Sequence, residues 1–556
     1  MTSLALHPGF ILIAGALVLA VLRGRARAAA SVIVPPIALY LVWQLPDGVA
    51  WSVPFLDYQL ALLSGDKLSR LFAIIFAIMA LGGSLFALNQ KNPLELPAAF
   101  VYAGAAIGVT LAGDLISVFV FWELMAIGST LVIWSAGSAG AYRASLRYMM
   151  IHLLGGVILM AGIAGHVAEF GSIAFQRMTL DSPAHWLILG GFLVNAGAPP
   201  LSPWLPDAYP EASWSGTVFL SAFTTKTAVY VLLRGFPGTE LLVYIGLFMV
   251  FYGIIYALLE NDMRRILAYS IVNQVGFMVV GIGIGTEMAL NGAASHAFTH
   301  IIYKALLLMS AGSVLLMTGK RKCTDLGGLF QSMPVTTWCG IIGALSISSF
   351  PLTSGFVSKS MISQAAADGH LLVIWLLLAA ASAGVFLHAG IKFPWFVFFQ
   401  KDSGLRPPDP PRNMRAAMIF FSVLCIGLGV YPDPLYAILP YPVEFEPYTG
   451  AHVVTQLQLL LFSGLAFFVL LDVLRRTSTI TLDVDWLYRR LGPTLYVGIA
   501  EGLARAQVAI GRSASSLMSG VLGALHLHHG PQGVLARTRP TGSMALWAVI
   551  LLLAYL

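Results

Sequence analysis

Charge is what this chain most lacks. Of its 556 residues, 10% are Asp, Glu, Lys or Arg, while 58% are hydrophobic. Soluble domains carry roughly 25% charged residues, so a soluble chain of this size could not cover its surface. Cysteine is scarce too. Cys323, Cys339 and Cys425 form no CxxC and no close pair. That excludes a disulfide scaffold and argues against a zinc or iron–sulfur site. Collagen-like, coiled-coil and disordered classes fail on the same composition. What is present is apolar length, which predicts an all-α polytopic membrane protein. The net charge of +6 then reads as basic loops on one membrane face, with no nucleic-acid partner.

Apolar runs fall near 5–22, 29–45, 68–88, 97–113, 114–134, 145–170, 185–203, 213–234, 239–259, 266–286, 288–318, 334–362, 370–398, 414–436, 454–474 and 541–556, about sixteen in all. The first run has no A-x-A-like site and reads as a retained helix. Clusters at Arg23/Arg25/Arg27, Arg143/Arg147, Arg264/Arg265, Lys320/Arg321/Lys322, Arg406/Arg412/Arg415 and Arg475/Arg476 land on one face when the runs are counted. By the positive-inside rule this face is cytoplasmic and the N-terminus lies outside. Turn residues and alternation over 46–66 predict an external hairpin. Segment 483–525 predicts an amphipathic helix on the cytoplasmic surface.

Ionisable residues at membrane depth are costly and mark function. Glu123 lies inside an apolar helix, whereas Asp114, nine residues earlier, suits a helix start. Lys226 is central in its run and flanked by threonines. His296, His300 and Lys304 are four apart and share a helix face. With no third ligand and a lysine beside the pair, a proton-relay face is favoured over a metal site. Lys359 follows an apolar run interrupted by Pro351 and Gly355, and a second interruption holds Gly197, Pro199, Pro200 and Pro203. Two broken helices in corresponding positions point to a repeat-built transporter. Low dielectric disfavours the charged form of such groups, so shifting the spacing of a buried Glu and Lys changes their proton affinity. Lys392, near a run end, reads as a snorkelling side chain.

Several stretches carry a family likeness: FVFWELM around Glu123, WLPDAYPEA from Trp204, TTKTAVYVLLR around Lys226, DMRRILAYSIVNQVGFM from Asp262, HAFTHIIYKALLLMSAG around Lys304 and SGFVSKSMI around Lys359. Together they resemble the proton-translocating subunits of Mrp-type multisubunit sodium/proton antiporters, and the antiporter-like subunits of respiratory complex I and membrane hydrogenases. The likeness covers roughly residues 60–400. FLHAGIKFPWFVFF, VVTQLQLLLF and DVDWLYRR look most like the D-type subunits of the antiporters. The likeness implies a core of about fourteen helices with two inverted five-helix repeats. The expected organisation is N-terminal helices over 1–95, a first repeat over 96–235, a second over 236–400 and C-terminal helices over 401–556.

The same likeness implies a proton relay of Glu123, Lys226, Lys304 and Lys359, with His296 and His300. No cofactor and no metal are expected. The chain would be a transporter subunit rather than an enzyme, in the cell's inner (plasma) membrane. Its partners would be other subunits, the bilayer, protons and Na⁺ or K⁺. One departure stands out: the family's lysine nine residues before the Trp of WLPDA is Asn195 here, and Asn carries no proton. Ser202 and Tyr209 likewise replace histidines of the family pattern. Two other functions therefore stay open. The chain could be a membrane-arm subunit of a redox-driven complex, or a largely structural subunit with a decayed first half-channel.

Overall fold

The structure, a computed structural model, describes residues 6–478 and 482–556. It divides into two compact units, Met1–Asp483 and Val484–Leu556. The first opens with helices α1 (Pro8–Val21) and α2 (Gly24–Trp43), then an antiparallel hairpin of β1 (Gly48–Phe55) and β2 (Tyr58–Gly65). That hairpin lies within the expected 46–66. Helices α3 (Lys67–Phe86), α4 (Glu95–Leu111), α5 (Leu115–Trp134) and α6 (Ala139–Phe170) follow. Next come α7 (Pro183–Ala196), α8 (Trp204–Ala208), α9 (Gly216–Leu220), α10 (Thr224–Gly235), α11 (Leu241–Leu259), α12 (Met263–Ile284) and α13 (Glu287–Thr318). The unit closes with α14 (Pro334–Ile347), α15 (Ser354–Asp368), α16 (Leu372–Val385), α17 (Arg412–Val430), α18 (Asp433–Tyr436), α19 (Gly450–Val469) and α20 (Leu471–Leu474). Among the described residues, twelve helical stretches are long and apolar enough to span a bilayer.

Local chemistry sets the helix starts. Asp114 accepts from the Ser117 N–H at 2.7 Å and so caps α5, as its position implied. Asp66 and Ser69 form a reciprocal capping box at the start of α3. The order long helix then broken helix occurs twice. The 32-residue α6 precedes α7, which stops after 14 residues, and the 32-residue α13 precedes α14, which also stops after 14.

Sequence expectations need correction in four places. The 213–234 run is interrupted at 221–223, between α9 and α10. The 370–398 run leaves α geometry for π turns at Phe386–Lys392 and Trp395–Phe399. Lys392 does not snorkel: it is 1% exposed. Over the expected 483–525, a π turn at Leu487–Leu491 runs directly into α21 (Gly492–His529). Asp483 lies outside it, its carboxylate accepting from the Tyr252 and Tyr269 hydroxyls at 2.6 and 2.7 Å. The second unit otherwise holds α22 (Thr541–Tyr555).

Helices α11 and α12 meet backbone to backbone. A Cβ added at Gly246 would sit 2.7 Å from the Gly276 carbonyl, and one at Gly276 would sit 2.7 Å from that of Gly246. Gly253 and Gly283, seven residues further on, face the partner backbone at 2.6 Å. Small residues at this spacing let helices touch without intervening side chains, the main source of packing energy in lipid. Gly276→Ala is expected to destabilise the detergent-solubilised protein by about 1–3 kcal/mol through overpacking. Gly427→Ala, where an added Cβ meets nothing within 4 Å, should leave the thermal midpoint unchanged.

A second lock joins the start of α3 to the end of α10. Arg234 Nη2 donates to Asp66 Oδ2 at 2.5 Å. Burial opposes ionisation of Asp66, but the Arg234 charge and the Ser69 N–H outweigh it and hold its carboxyl below the ordinary value. A depressed carboxyl stabilises the fold above its unfolded pKa, and the contribution fades as pH falls through the folded one. Asp66→Asn should therefore lower the melting temperature at pH 7, with the gap to wild type closing progressively below about pH 4.

Candidate functional site

The first helix break begins where α7 reaches Gly197, held in the left-handed conformation at φ +77°. A left-handed residue ends a helix and leaves carbonyls to be satisfied. The Trp204 indole N–H takes one of them, donating to the Val194 carbonyl at 2.9 Å. Asn195, in the last turn of α7, is buried, and its Oδ1 lies 2.7 Å from His152 Nδ1 of α6. His152 stacks on Tyr148 with ring centroids 4.0 Å apart. Tyr148 OH reaches Thr224 Oγ1 at 3.2 Å, and Tyr102 OH reaches the same atom at 2.6 Å. Thr224 opens α10, just past the interruption at 221–223.

Lys226 is fully buried beside that interruption. Its Nζ donates to the Ser221 carbonyl at 2.6 Å and to Thr225 Oγ1 at 3.1 Å. Glu123 projects from α5 onto α6 and accepts no hydrogen bond at Oε1. A Cβ at Gly156 would lie 1.9 Å from that oxygen, so a glycine makes the carboxylate's seat. Among the described residues no ion pair joins Glu123 to a lysine.

The second break separates α14 from α15. Ser349 and Leu352 stand there at φ +58° and +68°, which costs about 1–3 kcal/mol per non-glycine residue. Gly355 comes so close to the Ser346 carbonyl that an added Cβ would lie 1.8 Å from it. Lys359, just past the break, has no hydrogen-bond partner among the described residues, and its Nζ sits 4.1 Å from the centroid of the Phe277 ring.

On α13 the expected His/His/Lys face is present and is lined by α12. Lys304 Nζ donates to Ser270 Oγ at 2.8 Å and to the Leu267 carbonyl at 3.2 Å. His296 contacts Gln274 Oε1 at 3.0 Å and Ser358 Oγ, beside Lys359, at 3.3 Å. Neither nitrogen of His300 has a hydrogen-bond partner among the described residues. Its ionisable neighbours are Lys226, Lys304 and His296.

Two further groups extend this seam, one of them the lysine expected to snorkel. His388 is fully buried, with Nδ1 2.8 Å from the Gly384 carbonyl and Nε2 unpartnered. Its ionisable neighbours are Lys304, Lys392 and Lys359. Lys392 Nζ caps the end of α11, donating to the carbonyls of Ala257 (3.2 Å), Leu258 and Glu260 (2.7 Å). The π turns swing both side chains inward; a regular α continuation was the only geometry the sequence suggested. His152 was also missed, although it lies four residues from both Tyr148 and Gly156.

Below the first break, arginines clamp the WLPDAYPEA loop. Arg147 grips Asp207 through two bonds at 2.7 and 2.8 Å. Arg321 bridges Glu211 and Asp262 at 3.0 and 2.9 Å. Arg264, buried, donates to the carbonyls of Pro210, Ala212 and Ser213. Asp207 and Glu211 thus serve as anchors. Among the described residues no cluster of three or more His, Cys, Asp or Glu is arranged to hold a metal.

The chain is similar to known proteins in sequence and in fold. Residues 112–385 match a family model described as NADH:quinone oxidoreductase/Mrp antiporter, TM. The D-type subunit of the Na(+)/H(+) antiporter of Alkalihalophilus pseudofirmus is 28% identical over 415 residues, covering 71% of this chain and 83% of the relative. The N-type subunit of the NADH-quinone oxidoreductase of Desulforudis audaxviator is 28% identical over 450 residues, covering 73% and 89%. In fold, the chain is similar to one in the Mrp complex of a Dietzia species (TM-score 0.68, 20% identity, 79% of this chain and 96% of that one). It is also similar to a chain of the membrane-bound sulfane sulfur reductase, an archaeal respiratory membrane complex (TM-score 0.72, 22% identity, 99% of each).

Proposed function

From the match of residues 112–385 to the NADH:quinone oxidoreductase/Mrp antiporter transmembrane family model, we propose that this multi-pass membrane protein is the proton-translocating subunit of a monovalent cation/proton antiporter. The observation that carries the reading is the buried seam from Lys226 through His300, Lys304 and His296 to Lys359. Its members neighbour one another without a carboxylate partner among the described residues. Groups of this kind, at two helix breaks, pass protons when their spacing changes. Glu123 serves as the acidic end of the relay. Other subunits of the complex are the partners, Na⁺ or K⁺ is the exchanged ion, and the plasma membrane is the site of action. The basic clusters support an N-terminus on the outside.

A second reading is favoured by one observation. The match to the sulfane sulfur reductase chain spans 99% of both chains, whereas the Mrp match covers 79% of this one. On that reading the chain is the driven membrane arm of a redox complex. Copurifying subunits with iron–sulfur ligand motifs would select it.

The test of the relay is transport in everted membrane vesicles carrying the whole complex. Glu123→Gln and Lys304→Ala are each expected to lower cation-dependent pH change by roughly 100-fold, the scale of a lost proton-transfer group, while the complex still assembles. Wild-type rates in both variants would overturn the relay.

A further inference from the structure

Resting on the relay reading above, we infer that His152 is the proton-carrying group of the first half-channel, and that Asn195 is its positioning partner. The path from Glu123 to Lys226 needs a group that can gain and lose a proton between them. Asn195 cannot do so. His152 stands at that place. Tyr148, His152 and Gly156 are spaced i, i+4, i+8 on α6 and share one face. At one end of this stripe, Glu123 Oε1 rests on Gly156. At the other, Tyr148 OH meets Thr224, two residues before Lys226. The imidazole sits in the middle, about one helical turn from each end.

The ring is set up to carry a proton. His152 is 1% exposed. Asn195 Oδ1 is an acceptor, so at 2.7 Å it fixes the tautomer with the proton on Nδ1. That leaves the Nε2 lone pair, which has no partner among the described residues. Tyr148 and Trp204 pack on the ring, with centroids at 4.0 and 4.7 Å, and hold its plane. Asn195 Nδ2, Ser202 Oγ, Tyr209 OH and Thr227 Oγ1 are likewise buried without protein partners. Native interiors leave few such atoms unsatisfied. The ring packs on Tyr148 of α6 and Trp204 of α8; Tyr102 on α4 and Tyr209 beyond α8 lie one contact further, through Thr224 and Trp204. Among the described residues no cation bonds directly to the imidazole. In the transfer itself, Nε2 accepts a proton from the Glu123 side to give imidazolium and releases it toward Lys226. The neutral ring is restored with Nδ1–H still on Asn195.

Vesicle transport by the intact complex tests this. His152→Asn keeps a donor toward Asn195 Oδ1 but cannot titrate, and a fall of roughly 100-fold is expected. His152→Gln serves the same purpose if the Asn variant fails to assemble. Adding Asn195→Lys to either variant should restore most of the rate and move its pH optimum upward, as a lysine titrates above an imidazole. A purely structural role would give neither the rescue nor the shift, and their absence overturns the proposal. If His152→Asn keeps more than half the wild-type rate while Glu123→Gln loses transport, His152 is not the carrier and the relay stands. If Glu123→Gln also transports normally, the relay reading itself falls.

Discussion

The interior of this protein depends on stabilising amines in a low-dielectric medium with dipoles instead of counter-ions. Lys226 is held by the Ser221 carbonyl at an interrupted helix. Lys392 is held by three carbonyls at the end of α11. Lys304 takes a carbonyl and a hydroxyl of α12, and Lys359 lies over an aromatic face. Helix C-termini carry partial negative charge, enough to receive an ammonium group. A carboxylate partner would bind each cation more strongly, but it would be left as an orphaned buried anion whenever the proton departed. Carbonyls and rings carry no such liability.

The two main helix breaks are built differently. At the first, a left-handed glycine ends α7 and an indole N–H closes the exposed carbonyl. At the second, two non-glycine residues accept the left-handed region and Gly355 lets α15 start against the Ser346 carbonyl. The arginine clamps on WLPDAYPEA then fix the floor beneath the first break. Each bonds a loop carboxylate or carbonyl, so the clamp is satisfied without reaching into the seam.

Much of this was legible in the sequence. Apolar length gave the helical membrane fold, glycine and proline marked both main breaks, and the 3.6-residue period placed His296, His300 and Lys304 on one face. Other features depend on tertiary geometry. The interruption before Lys226 has no proline or glycine at 221–223 to announce it. The π turns that bury His388 and Lys392 come from an ordinary apolar run, and position near a run end suggested snorkelling for the lysine. A lone histidine at 152 looks like a core residue until α7 brings Asn195 against it. Asp483 reads with the amphipathic segment in sequence, whereas two tyrosines claim it in space.

The glycine contacts between α11 and α12 have a mechanical consequence. With backbone against backbone, there is no side-chain cushion to compress or slide, so the two helices form a single stiff stave. One edge of that stave ends at the carbonyls holding Lys392; the other presents Ser270, Leu267 and Gln274 to Lys304 and His296. Lys392, Lys304 and His296 therefore all rest on one backbone-locked helix pair.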